Sequence, residues 1–412
     1  MKKFMYLIPF AAVALASCSN ESIDSQEKRV ALSDAAALNI APAVQGTTRG
    51  TVKTDANLTE FHVEAKGDAP FWTVTPAGTA IVTTTGSINY NVEPNNFEAD
   101  VKLSSGKWII GDGTKDYYWS SKGMSATFTA WAPSTFNVAQ SYEVKPNIAD
   151  QEDLLVAYNA GTGADFTSGV PLNFQHVMSQ VIIKALNKDA DKLQIEVAGV
   201  KLTNIKNTGK LTLPKASTAS GTFSWESADA PSWSTESGTA SYTANGTTAV
   251  ASNLTTISTL TGSASQLTSE PFLLMPQTQT KADLSVTDPS NITGAYFSVL
   301  VRVTQKSDSK QIYPTLNSSS SKNAADYFAY VAIPVDIDWK PGYKYTYTLN
   351  FSSTGIGKAD PNNAADQPGD GYPVGSNEGV DPGDDILDGP VKLYFTVTVE
   401  DWIDGGDSPL DM

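Results

Sequence analysis

Apolar and polar residues alternate along most of this chain with a period of two, in short runs. Residues 61–64, 71–74, 80–84, 108–110, 125–131 and 154–158 form a first series. A strongly apolar stretch follows at 172–176 and 181–185. A second series covers 193–202, 211–213, 222–225, 272–275, 284–286, 296–303, 327–333, 343–351 and 393–399. Gly, Pro, Asn and Asp clusters separate the runs, which is the turn chemistry of antiparallel sheets. Helical periodicity is nearly absent, with short candidates only at 34–37 and 324–327. Many short strands with frequent turns predict β-sandwiches, and the series is too long for one sandwich of about 100 residues. The expected fold is therefore all-β, with two tandem sandwich domains at 50–175 and 176–412.

Ahead of the first robust strand lies a weaker one. In residues 36–49, Leu38, Ile40 and Val44 share one face at period-two spacing, and Pro42 occupies the remaining position on it. A proline confines such a strand to a sheet edge or to its own end. Two stretches are too poor in bulky apolar residues to bury a core and read as loops. One is 227–265, rich in Ser, Thr, Gly and Ala. The other is an acidic segment at 355–389, rich in Asp, Gly, Pro and Asn. The second leads into the strictly alternating Leu393, Phe395, Val397 and Val399, so it is an excursion from the domain.

Charge and composition remove several classes of function. The chain carries 44 acidic against 28 basic residues, a formal net charge of −16, which gives no general attraction to nucleic acid. Its single cysteine, Cys18, leaves no internal disulfide or zinc-thiolate site. Of the two histidines, His62 alternates with Phe61 and Val63 and so faces away from them, while His176 points outward or packs at a sheet end. No Gly-x-Ser-x-Gly elbow, phosphate loop, dinucleotide fingerprint or zinc-protease helix accompanies them. Asp381, Asp384 and Asp385 are spaced closely enough to hold calcium, but not in the twelve-residue pattern, and read as a solvated turn; Glu400, Asp401, Asp404 and Asp407 read likewise. No catalytic residue, metal site or cofactor is expected. Eight tryptophans leave a sugar-stacking platform open, although those within strand runs, such as Trp131, fit a packing role better.

The N-terminal end carries a different signal. Met1-Lys2-Lys3 is basic, residues 4–16 are apolar apart from Pro9, and Leu15-Ala16-Ser17 precedes Cys18. That order is a secretory signal, and Leu-Ala-Ser-Cys resembles a bacterial lipobox. The resemblance implies cleavage after residue 17 and lipid on Cys18, anchoring a tether without a spanning helix. Arg49 sits between Gly46-Thr47-Thr48 and Gly50-Thr51, a flexible setting open to proteolysis.

Further motifs are Leu172-Asn173-Phe174-Gln175-His176-Val177-Met178-Ser179, Phe272-Leu273-Leu274-Met275-Pro276-Gln277, the run 339–349, and Phe395-Thr396-Val397-Thr398-Val399-Glu400-Asp401-Trp402. With the lipobox and the Thr48-Arg49 end of the weak strand, these resemble the fimbrillins of Bacteroidales, the type V pilins. The resemblance implies two transthyretin-like, Greek-key sandwiches and no enzymatic activity. It also implies a precursor anchored in the outer membrane through Cys18 and cut between Arg49 and Gly50 by a processing protease. Loss of the lipidated tether and first strand, within 18–49, would open a groove. A strand from the C-terminal region of another fimbrial subunit, with Leu393, Phe395, Val397 and Val399 as candidates, would fill it and build an extracellular, adhesive fimbrium. Arg29 is a second cut position that would leave the 38–44 strand in place. A surface-anchored glycan-binding lipoprotein is the alternative, and a hydrolase using a carboxylate pair a more distant one.

Overall fold

A computed structural model describes residues 36–44, 57–75, 77, 83–84, 87–88, 91–218, 221–235, 238–244, 258–268, 270–285, 291–314, 328–353, 357–360 and 394–401. Cys18, Arg29, Arg49, Gly50, Leu393 and the acidic segment 361–393 lie outside them.

Two sheets enclose the first core. The strands, in chain order, are β1 (Ala36–Ala37), β2 (Ile40–Val44), β3 (Glu60–Gly67), β4 (Trp72–Val74), β5 (Asn91–Val92), β6 (Asn96–Ser104), β7 (Lys107–Ile110), β8 (Asp116–Trp119), β9 (Ser125–Ala132), β10 (Leu155–Thr162) and β11 (Val170–His176). A seven-stranded sheet runs β2-β11-β10-β9-β3-β6-β7, and a four-stranded one runs β1-β8-β4-β5. The period-two reading holds residue by residue in β3, where Phe61, Val63 and Ala65 are buried and Glu64 and Lys66 exposed. Between the sheets pack Phe61, Phe71, Trp119, Phe128, Phe166 and Phe174, with tilted and edge-to-face ring contacts such as Phe61–Phe174 at 5.0 Å. Such geometries suit the aromatic quadrupole.

The chain then crosses to a second sandwich through Val177 and Met178. Its principal strands are β12 (Ser179–Asn187), β13 (Leu193–Lys206), β14 (Tyr296–Gln305), β15 (Ala329–Pro334), β16 (Tyr343–Phe351) and β17 (Tyr394–Asp401). One sheet places β12 between the short strands Ser265–Gln266 and Phe272–Leu274 on one side and β16 on the other, with β17 beyond β16 at the edge. The facing sheet is built on β13, β14 and β15. Val181, Ile183, Tyr347 and Leu349 from the first meet Ile195, Phe297, Val299 and Val331 from the second.

The two systems are joined by more than the covalent crossing. Trp131 and Val156, on the outer face of the first sheet, belong to the second core. Tyr142–Glu143 pairs with the Thr208–Thr212 strand. Gln151 Oε1 accepts from Leu273 N at 2.8 Å, and Trp233 Nε1 donates to Val177 O at 2.7 Å.

Several expectations need correction. Residues 227–265 contain the strands Ser232–Thr235, Thr239–Ala244 and Ser258–Thr259. One large side chain, the fully buried Tyr242, is enough to seat Thr239–Ala244 against β13. Residues 34–37 are not helical where described: Ala36–Ala37 pairs with β8. The runs at 222–225 and 284–285 form no strand.

Candidate functional site

The feature that most distinguishes the molecule is the seam closed by residues 36–44. This segment is an edge strand of both sheets in turn. Ala36 and Ala37 lie antiparallel to Trp119 and Tyr118 in the four-stranded sheet, and Leu38 N donates to Tyr117 O at 2.8 Å. At Asn39 the chain changes sheets, its carbonyl accepting from Val170 N at 2.9 Å. Residues 40–44 then run parallel to β11, with Ile40 beside Val170 and Val44 beside Phe174.

Leu38, Ile40 and Val44 are 5 %, 7 % and 6 % exposed, and all three join the first core. Pro42 is half-buried opposite Leu172. The reading of one apolar face with proline at an edge is what is observed. The floor beneath consists of Val170, Leu172 and Phe174, each fully buried. Gly169 opens this floor with φ +106, and a Cβ there would stand 3.4 Å from the backbone and Cβ of Asn39. The contact itself is ordinary; the conformation is what only glycine takes without strain. Just upstream, the Asp165 carboxylate accepts from Thr162 Oγ1 at 2.7 Å and Thr162 N at 2.8 Å, which holds it below the usual carboxylate range and fixes the turn ahead of Phe166. On the β8 side, burial pushes the Tyr117 hydroxyl up. The seam is therefore apolar inside and hydrogen-bonded along both rims, and it holds an extended segment.

Removing residues 36–44 would leave one rim of each sheet unpaired above the apolar floor, a ready template for another strand. By side-chain burial alone each of Leu38, Ile40 and Val44 contributes on the order of 1.5–3 kcal/mol.

The donor candidates fall in β17, where Phe395, Val397 and Val399 lie opposite Leu349, Tyr347 and Tyr345. The ladder is antiparallel, covers eight residue pairs, and, among the described residues, leaves β17 paired on one side. Glu400 and Asp401 continue the strand; Asp404 and Asp407 lie outside the described residues.

Among the described residues, the polar candidates gather into no acid-base centre. His62 Nδ1 lies 2.8 Å from Asp100 Oδ1 and its ring stacks on Trp131, facing away from Phe61 and Val63 as expected. His176 is buried at the sheet end, 2.9 Å from the equally buried Asp153. No group of three or more His, Cys, Asp or Glu placed to hold a metal occurs among the described residues. Trp119, Trp131 and Trp339 are core residues. Two elements of the seam escaped sequence reading, the β8 rim and Gly169. A glycine directly before an apolar run was the one local signal for the second.

Fold and seam define a class: an all-β protein of joined sandwiches whose accessible features are strand edges. A model of the Fimbrillin-like family matches residues 70–362, more than half of the chain, and the protein belongs to that family. Among solved structures, a fimbrial protein from Bacteroides vulgatus is similar at 15 % identity and a TM-score of 0.46, covering 88 % of this chain and 99 % of its own. The fimbrial anchor protein Mfa2 from Porphyromonas gingivalis is similar at 12 % identity and a TM-score of 0.24, covering 76 % and 90 %. No curated protein matches.

Proposed function

We propose that this chain is a structural subunit of a type V fimbria, made as an outer-membrane lipoprotein through Cys18 and polymerised after cleavage between Arg49 and Gly50. The proposed units are a signal at 1–17, a lipidated tether with removable strand at 18–49, and domains at 50–175 and 176–412. The observation that carries the reading is the placement of Leu38, Ile40 and Val44 in the first core from a strand that is an edge of both sheets. Its only covalent tie to the rest of the sandwich runs through 45–56, the segment that holds Arg49.

A cut there frees the strand, and a donor with the same alternation restores the ladder and the burial. Leu393, Phe395, Val397 and Val399 reproduce the spacing of Leu38, Ile40, Pro42 and Val44, so each alternate donor side chain meets one seam position. Because donor and acceptor are different surfaces, the product is an open filament. The partners are other copies or related subunits, and the site of action is the cell surface. With net charge −16, assembly rests on pairing and burial.

The test is to expose the unlipidated chain to an arginine-specific protease and follow mass and particle length. Cleavage after Arg49 followed by filaments is expected, with Arg49→Ala blocking assembly and Arg29→Ala leaving it intact. Filaments from the Arg49→Ala chain, or a fully cut chain that stays monomeric, would sink the reading.

A further inference from the structure

Among the described strands, two pairings are parallel: β2 with β11, and β12 with β16. The rest of the ladders are antiparallel. These two lie in line along the chain, because β11 runs into β12 through Val177 and Met178 alone.

Direction decides how a ladder fails under tension. When two strands are pulled from adjacent ends, pairs open one at a time. When they are pulled from opposite ends along their axes, every hydrogen bond must yield together, so bonds worth only about 1 kcal/mol each act as one barrier. Forced unfolding follows that barrier, not the equilibrium stability.

The β12–β16 ladder is loaded the second way. Force arriving from β11 enters β12 at Ser179. Force leaving toward the C-terminus exits β16 at Phe351. With Gln180 beside Lys344 and Asn187 beside Phe351, entry and exit stand at opposite ends of eight parallel pairs.

Both ends are pinned. At the entry, Gly342 N donates to Met178 O at 2.9 Å, Ser179 Oγ donates to Lys340 O at 2.9 Å, and Trp233 Nε1 holds Val177 O. At the exit, Lys188 N donates to Phe351 O at 2.8 Å, while Ser353 N and Oγ donate to Asp189 at 2.7 and 2.6 Å. Beyond Phe351, among the described residues and with β17 given up as the donor, the chain is held past Ser353 by Lys358–Ala359 on Ala332 and Val331, by Asp360 N donating to Tyr330 O at 3.2 Å, and by Ser298 Oγ donating to the buried Asp360 carboxylate. Those few contacts are short beside the eight pairs of the ladder, so under tension they are expected to give way first.

We propose that β12 and β16 form a shear clamp that carries filament tension through the subunit body, from the groove rim to the strand leading to the donor. The proposal rests on the donor-strand reading for where force is applied. It assigns opposite duties to the two neighbours of one sheet. β17, antiparallel and at the edge, is free to peel from β16, whereas β12 is held to β16 by a ladder that cannot be peeled from its loaded ends.

The test is force spectroscopy on the full chain carrying Cys18→Ser, pulled through cysteine handles in two geometries. Asn173→Cys with Ser352→Cys applies shear across β12–β16; Lys188→Cys with Ser352→Cys opens the same ladder from one end. All three positions are exposed or half-buried. A rupture force severalfold higher in shear supports the clamp. Equal forces overturn it. Filament formation by the processed chain is scored separately. Filaments with equal forces leave the donor reading standing without the clamp. A strong shear force with no filaments keeps the clamp and removes the donor reading.

Discussion

The strands β2 and β17 both sit at sheet edges among the described residues, yet their pairings differ in direction and length. β2 spans five residues, runs parallel to β11, contains a proline and depends on side chains sunk into the first core. β17 has eight residues in an unbroken antiparallel ladder on β16. A strand retained by burial leaves a defined apolar imprint when it departs. A regular antiparallel edge ladder can be drawn off pair by pair. Under the proposed function the first arrangement would make an acceptor and the second a removable donor.

The largest effect should come from spoiling the imprint. Ile40→Asp places a carboxylate in the first core with no partner, a cost of several kcal/mol. Urea denaturation should show the first core failing at lower denaturant, while Thr346→Ala, half-buried on β16 opposite Thr398 of β17, stays within about 0.5 kcal/mol of the parent. Equal sensitivity at the two positions would erase the distinction between burial and pairing.

Next is the hinge between the two regions. Asp153→Ala removes the partner of buried His176 where β11 gives way to β12. Leaving a buried hydrogen-bonding group without its partner costs about 1–3 kcal/mol. Unfolding curves should lose stability by that order, whereas replacing both residues with apolar ones should recover much of it. A double variant as unstable as Asp153→Ala would show that the pair does more than satisfy itself.

Gly169→Ala follows. Its φ of +106 calls for about 1–3 kcal/mol of strain, confined to the acceptor side. Limited proteolysis after Arg49 should speed up in this variant, with the β17 ladder unaffected by hydrogen exchange.

What sequence reading reached, and where it stopped, follows the same line between local and distant causes. Leu38, Ile40 and Val44 were legible because burial alternates with the pleat, and Pro42 marked an edge because it lacks an N–H. The parallel direction of β2, its switch of sheets at Asn39 and its rim on β8 were not, since partners more than 75 residues away choose them. Ala35-Ala36-Ala37 favours a helix locally, and pairing with β8 overrides it. The strand Thr239–Ala244 was hidden because a single tyrosine in a Ser- and Thr-rich stretch supplies its anchorage. His176 could be placed at a sheet end, but its buried carboxylate partner lies 23 residues upstream on no shared motif.

The smallest effect tests how the β12–β16 ladder is closed where β16 ends. Hydrogen bonds from the Ser353 side chain and backbone hold the Asp189 carboxyl below its ordinary range, with Lys192 adding a lesser pull. A carboxyl whose folded pKa is depressed adds stability above its unfolded value, about 3.9, and loses it as pH falls through the folded one. The parent chain and Ser353→Ala should therefore differ most at neutral pH, and their stabilities should converge in acid below the ordinary aspartate range. The site is open to solvent, so the gap should be small and shrink with added salt. A difference that persists unchanged in strong acid would mean that Ser353 acts through packing, and that Asp189 does not staple the exit of the ladder.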